Sequence, residues 1–144
     1  MFMEILKIIL TLGVWYFVIV VADTIFLGRI VHQFIIDNFW SLITSQNGTI
    51  DIKLWAWLLA WFFIVVMIFV FVLHSWLASS YWTAIFYGWF IWFLMYAMYD
   101  FTNLTFMKDY PINFVIVDII WGTLLCATIS LAMYSFQVWI HTIL

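Results

Sequence analysis

The sequence predicts an all-α fold, an integral membrane bundle of four transmembrane helices with a short interfacial helix after the first span. Three observations predict it. Hydrophobic residues fill 69% of the 144 positions and charged residues only 8%, against about 25% charged in a soluble domain, so the chain cannot cover itself with polar surface. The apolar residues fall into four runs, each near the roughly 20 residues that a helical span needs. The connections are short, which leaves one membrane domain over residues 1–144 and little material outside the bilayer.

The first span is read over residues 5–28, with Lys7 near its start and Arg29 just past its end. Thr11, Gly13 and Asp23 interrupt its apolar run. It is too long for the apolar core of a secretory signal and has no small-residue cleavage site, so it is expected to be retained. Over residues 32–46, Phe34, Ile35, Phe39, Leu42 and Ile43 oppose Gln33, Asp37, Ser41 and Ser45, which recur every four residues. That is the pattern of a helix lying in the interface, with Trp40 at headgroup depth and Asn47-Gly48-Thr49 ending it as a turn. The second span, residues 54–73, has no ionisable residue and is expected to be scaffold facing lipid. The third, residues 81–106, sets Gly88, Trp92, Tyr96, Asp100 and Asn103 along one face. After a turn at 108–111 the fourth span covers residues 112–139. Its face of Asp118, Gly122, Cys126, Ser130 and Tyr134 repeats every four residues, and small residues in that register let membrane helices approach closely.

Arg29, Lys53 and Lys108 lie in the first and third connections, while Lys7 alone flanks the other side. An excess of Lys and Arg marks the cytoplasmic side, so these connections are expected inside and both termini outside. Four basic residues in a chain of formal net charge -3 form no patch for nucleic acid. Cys126 is the only cysteine, which excludes an intrachain disulfide.

Asp23, Asp100 and Asp118 each lie about six residues inside a span boundary on the same side, roughly 9 Å deep at 1.5 Å per residue. Ionisable groups in apolar sequence are costly, so a function is their default hypothesis. Tyr99, Thr102, Asn103, Trp121 and Thr123 flank them and complete the candidate ligand-binding set, with Arg29 and Lys108 as supporting charges. Apolar surroundings and like-charged neighbours both favour the neutral form of a carboxyl, so such a cluster can take up and release protons. Its oxygens can also hold a hard cation, or act as acid and base on the polar head of a lipid. The plainer alternative is that the aspartates staple the bundle by pairing with Arg29, Lys108, the Trp121 N–H or threonine hydroxyls. No His-x-x-x-His, Cys-x-x-Cys, glycine-rich phosphate loop or Gly-x-Ser-x-Gly is present, so no metal or cofactor is named. His32, His74 and His141 are scattered.

The blocks Asp23-Thr24-Ile25-Phe26-Leu27-Gly28, Tyr99-Asp100-Phe101-Thr102-Asn103-Leu104, Lys108-Asp109-Tyr110-Pro111 and Val117-Asp118-Ile119-Ile120-Trp121-Gly122-Thr123 resemble the hallmark blocks of a family of short membrane proteins, domain-of-unknown-function family 2177. The resemblance spans nearly the whole chain. It departs at Phe26 and Tyr110, where that family often has tryptophan. It implies four spans and the same signature residues, and supplies no activity. Three classes of function stand. One is a small transporter or channel-like protein that binds a proton, cation or small polar ligand; with so few spans, it is expected to work as a homo-oligomer. The others are a membrane enzyme acting on a lipid and a structural subunit of a membrane complex. The expected partner is the lipid bilayer, and the expected setting the inner (plasma) membrane of a bacterium.

Overall fold

The computed structural model describes residues 2–39, 45, 46, 49, 50 and 53–143. Helix α1 spans Phe2–Ile25 and continues as a π-helical turn, Phe26–Ile30, whose wider winding shows in the Val31 N–H donating to the Phe26 carbonyl at 3.0 Å. Helix α2 covers His32–Phe39, α3 covers Leu54–Ile68 with a second π-helical turn at Phe69–His74, α4 covers Tyr81–Phe106 and α5 covers Ile112–Ile143. Four of these helices are long and apolar enough to cross a membrane: Phe2–Ile30, Leu54–His74, Tyr81–Phe106 and Ile112–Ile143. The fold is therefore the all-α membrane bundle that composition implies.

Helix is the form that lets a span satisfy its backbone without water, and the hydroxyls follow the same demand. Thr11 donates to the Lys7 carbonyl at 2.8 Å, Thr24 to Val20 at 2.7 Å, Thr105 to Phe101 at 2.9 Å and Thr128 to Leu124 at 2.8 Å. Each turns a polar side chain back onto its own helix. Ser80 starts α4 as a capping box with Thr83, the Thr83 N–H donating to the Ser80 hydroxyl at 3.2 Å and the Ser80 N–H to the Thr83 hydroxyl at 2.8 Å.

The tightest packing joins α4 to α5 at two glycines. A Cβ on Gly88 would lie 2.4 Å from Ser130 Cβ and 2.8 Å from the Cys126 carbonyl oxygen; one on Gly122 would lie 1.5 Å from Trp92 Nε1. Gly122 is therefore the seat of the Trp92 indole, which is fully buried. Ser130 donates across the pair to the Ala84 carbonyl at 2.8 Å. Ile19, Val65, Ile68, Val72, Trp92, Cys126, Ile129 and Met133 form the packed interior, while Phe17, Phe63, Phe71, Met98 and Leu124 stand outward as a lipid-facing surface. Helix α3 joins α1 through the Tyr16 hydroxyl, which donates to the Leu58 carbonyl at 3.1 Å.

The connection after α1 differs from expectation. Helix α2 carries the wet face read from the sequence, with Gln33 donating to Asp37 at 2.8 Å. Ser45 and Gln46, expected at the end of this helix, instead pair antiparallel with Ile50 and Thr49 as strands β1 (Ser45–Gln46) and β2 (Thr49–Ile50). In sequence, an Asn-Gly pair between two extended pairs is a strong local hairpin signal. Trp40, Ser41, Leu42, Ile43 and the Asn47-Gly48 turn lie outside the described residues.

Candidate functional site

The helix ends bring the aspartates to one level. Asp100 is six residues before the end of α4 at Phe106, Asp118 six after the start of α5 at Ile112, and Asp23 seven before Ile30. At 1.5 Å per residue each lies roughly 9 to 10 Å inside its helix. The antiparallel order of α1, α4 and α5 puts these ends on the same side.

Asp23 is 2% exposed, and its Oδ2 accepts a hydrogen bond from Trp57 Nε1 at 3.0 Å. The Trp61 and Trp121 indoles also bear on this carboxyl. Trp121 approaches it without hydrogen-bond geometry, and its buried N–H has no partner among the described residues. Phe26, at the start of the π-helical turn, stacks on Trp121 with centroids 3.6 Å apart and planes 5° from parallel, which fixes α1 against α5 beside Asp23.

Asp100 is completely buried. Its Oδ1 accepts from the Tyr110 hydroxyl at 3.0 Å, and that hydroxyl also takes the Asn103 amide at 3.5 Å. Its Oδ2 is buried with no hydrogen-bond partner among the described residues. Asp118 is half-buried on the facing side of α5, within electrostatic range of both Asp100 and Asp23, and no hydrogen bond from a described residue reaches it. Tyr96 interacts with all three carboxyls and stacks on Trp92 at 4.1 Å. The three aspartates thus share one electrostatic neighbourhood, although no three His, Cys, Asp or Glu side chains among the described residues group closely enough to hold a metal ion.

Unpaired polar atoms gather around this neighbourhood. Besides Asp100 Oδ2 and Trp121 Nε1 they include Trp92 Nε1, lodged over Gly122, and the Thr123 hydroxyl. Every other helical threonine whose side chain is described bonds its hydroxyl to a carbonyl three or four residues earlier. Thr123, which is 6% exposed, does not. Buried polar groups without partners are uncommon and call for an explanation.

Some candidate residues stand apart. Tyr99 is 58% exposed, and Thr102 is exposed with its hydroxyl on the Met98 carbonyl at 2.6 Å. Arg29 and Lys108 are exposed, and the ion pair among the described residues is Lys7 with Glu4 at 3.1 Å, at the opposite end of the bundle. The carboxylates therefore face no paired cation there. Two residues were missed by sequence reasoning. Helix α3 is more than lipid-facing scaffold, since its Trp57 supplies the donor to Asp23. Tyr110 supplies the donor to Asp100 from the loop after α4, where Asp109 takes a left-handed backbone with φ 61°. Burial, together with the adjacent Asp100 charge, pushes the Tyr110 hydroxyl above its usual range, which keeps it a donor.

Four long apolar helices with a buried carboxylate cluster near one end define a polytopic α-helical membrane protein with an internal polar site. The chain belongs to the family described as "Predicted membrane protein (DUF2177)", whose profile matches residues 6–135. No curated protein and no solved structure matches it.

Proposed function

We propose that this protein binds a proton at the Asp100–Asp118 carboxyls and couples it to a cation or small polar solute, as a small transporter or channel-like protein. The observation that carries this reading is Asp100 itself: wholly buried, one oxygen on Tyr110, a second carboxyl in range and, among the described residues, no partner for its other oxygen and no cation paired with either carboxyl. Two carboxyls in apolar surroundings stabilise each other by sharing protons when no cation neutralises them.

Toward the opposite end, Ile19, Trp92, Leu125, Cys126 and Ile129 fill the interior with apolar bulk. The site therefore lies near one face of the membrane with apolar packing between it and the other, which suits a binding step followed by rearrangement better than an open pore. The positive-inside pattern of Arg29, Lys53 and Lys108 puts that nearer face in the cytoplasm, with a bacterial inner membrane as the setting and a homo-oligomer as the working unit. A lipid-acting enzyme would need its acid and base within reach of the bilayer, and Asp23 and Asp100 are 2% and 0% exposed.

Proton flux into proteoliposomes carrying an internal pH dye, driven by a potassium diffusion potential, tests the reading. Flux above protein-free vesicles, abolished in Asp100→Asn and Asp118→Asn, supports it. Flux in the parent no greater than in empty vesicles overturns it.

A further inference from the structure

Asp100 is fully buried, yet one hydrogen bond connects it to the membrane surface. Tyr110 lies in the loop between α4 and α5, outside both spans, and is half-buried. Its hydroxyl donates to Asp100 Oδ1 at 3.0 Å, and the Asn103 amide at 3.5 Å sits on the oxygen's other side. Pro111 follows it, and a residue before proline is confined to extended backbone, so the ring is held in place by its own chain as well as by its partner. Asp109, just before Tyr110, takes a left-handed backbone, and both partners of the Tyr110 hydroxyl, Asp100 and Asn103, belong to the last turns of α4. Further along α4 and α5 toward the other end, Trp92 and Cys126 are buried in the apolar interior.

We propose that Tyr110 is the proton entry to the carboxylate cluster, passing protons between interfacial water and Asp100. This rests on the proton-binding reading above. The step balances within the groups named. Tyr110 gives its hydroxyl proton to ionised Asp100 Oδ1 as the phenol oxygen takes a proton from water, so one O–H bond breaks and one forms at tyrosine. Asp100 ends as the neutral acid, and the water phase has lost one proton. The reverse step returns the proton along the same bonds, and a second transfer inward needs the Tyr110 O–H to rotate back toward Oδ1. Asp100 Oδ2, without a partner among the described residues, then faces the next acceptor, with Asp118 a carboxyl that feels its charge. Tyr110 is in this scheme a positioning and relay group, and Asp100 the binding group.

The test is a pH jump followed by time-resolved infrared absorption of the carboxylic acid band, using the full chain in lipid nanodiscs and assigning the Asp100 band by its loss in Asp100→Asn. Tyr110→Phe keeps the ring and removes the hydroxyl. The expected result is a band of unchanged full amplitude that grows in more slowly, by a factor on the order of 100, the lower end of what a positioned acid–base group contributes. An unchanged rate in Tyr110→Phe overturns the proposal and leaves the proton-binding reading standing. An Asp100 that never changes protonation state in the parent defeats that reading, and the entry role with it. The parent supplies a check should the variant misfold: a tyrosine ring band, assigned to Tyr110 by isotope labelling, must shift at the rate of Asp100 protonation. A Tyr110 band that stays still throughout the jump also overturns the proposal.

Discussion

Replacing Asp100 and Asp118 by asparagine separates a chemical role from a structural one, and the geometry sets the scale. In Asp100→Asn the amide oxygen can keep the Tyr110 bond, now 3.0 Å from a carboxyl oxygen. The new NH2 falls where Oδ2 has no partner among the described residues. The change is at most a weakening of one hydrogen bond, about 0.5–1.5 kcal/mol. Asp118 takes no hydrogen bond from a described residue and is half-buried, so Asp118→Asn should cost less still. The penalty of about 3 to 5 kcal/mol for orphaning one member of a buried ion pair does not arise, because Arg29 and Lys108 are exposed and neither is paired with these carboxyls. Both variants should therefore unfold in detergent within about 1.5 kcal/mol of the parent, while proton flux in proteoliposomes disappears. The assay is chemical denaturation at neutral pH beside the flux measurement on the same preparations. Losses of about 3 kcal/mol or more in both variants, with flux reduced only in proportion to folded protein, would refute the reasoning and return the aspartates to a stapling role.

The remaining predictions concern packing, donors, pH and topology. Gly122→Ala puts a methyl 1.5 Å from Trp92 Nε1, and displacing a buried indole should cost about 1 to 3 kcal/mol; a variant as stable as the parent in detergent melts would show that the indole is not seated there. Trp57→Phe keeps the ring bulk and removes the 3.0 Å donor to Asp23; stability should fall by about 1 to 3 kcal/mol, and an unchanged midpoint would show that the bond is not formed. The Tyr110 hydroxyl has its pKa raised in the folded state, by burial first, so the unfolded chain ionises earlier, near pH 10. Below that pH its contribution is constant, and above it the parent should lose stability as pH rises, whereas Tyr110→Phe should lack that part of the slope. Cysteines at Lys108 and Ser79, both exposed, should label from opposite sides in a Cys126→Ala background, Lys108→Cys from the cytoplasm; outside labelling at 108 would reverse the orientation.

The fold was legible because membrane helices obey one dominant constraint. With 69% hydrophobic residues in runs of span length, every backbone group must be satisfied within its own segment, and helix is the solution a single strand-free run allows. The inward faces of α4 and α5 were legible for a related reason: Gly88, Gly122, Cys126 and Ser130 recur at helical steps, and small residues are what close approach requires. The stretch after α1 was not, since Gln33, Asp37, Ser41 and Ser45 keep a four-residue period into a segment that pairs as β1 and β2. A short polar segment outside the apolar core has no burial demand to enforce its period, so nothing holds Ser45 and Gln46 to the helical pattern.

The site divided along a similar line. Its carboxylates could be read because an aspartate inside a span carries a high energetic cost and so stands out from the surrounding apolar residues. Its donors could not, because tryptophan and tyrosine are at home both in a membrane interface and in a packed interior, with an apolar body and one polar handle. Trp55 and Trp57 are the instructive pair. They lie two positions apart on α3 and so point to nearly opposite faces; Trp55 is 71% exposed, as an interfacial anchor would be, while Trp57 turns in to Asp23. Tyr110 is ambiguous in the same way, and only the α4–α5 turn brings it over Asp100. Thr123 shows what a readable partner would have needed. A threonine in a span is satisfied by its own helix unless something else claims it, so an unpaired Thr123 is informative only after every neighbour's hydroxyl has been placed. Acidic residues declare a polar site from sequence, but the groups that tune it do so through geometry, and the chain leaves their roles open until the helices are packed.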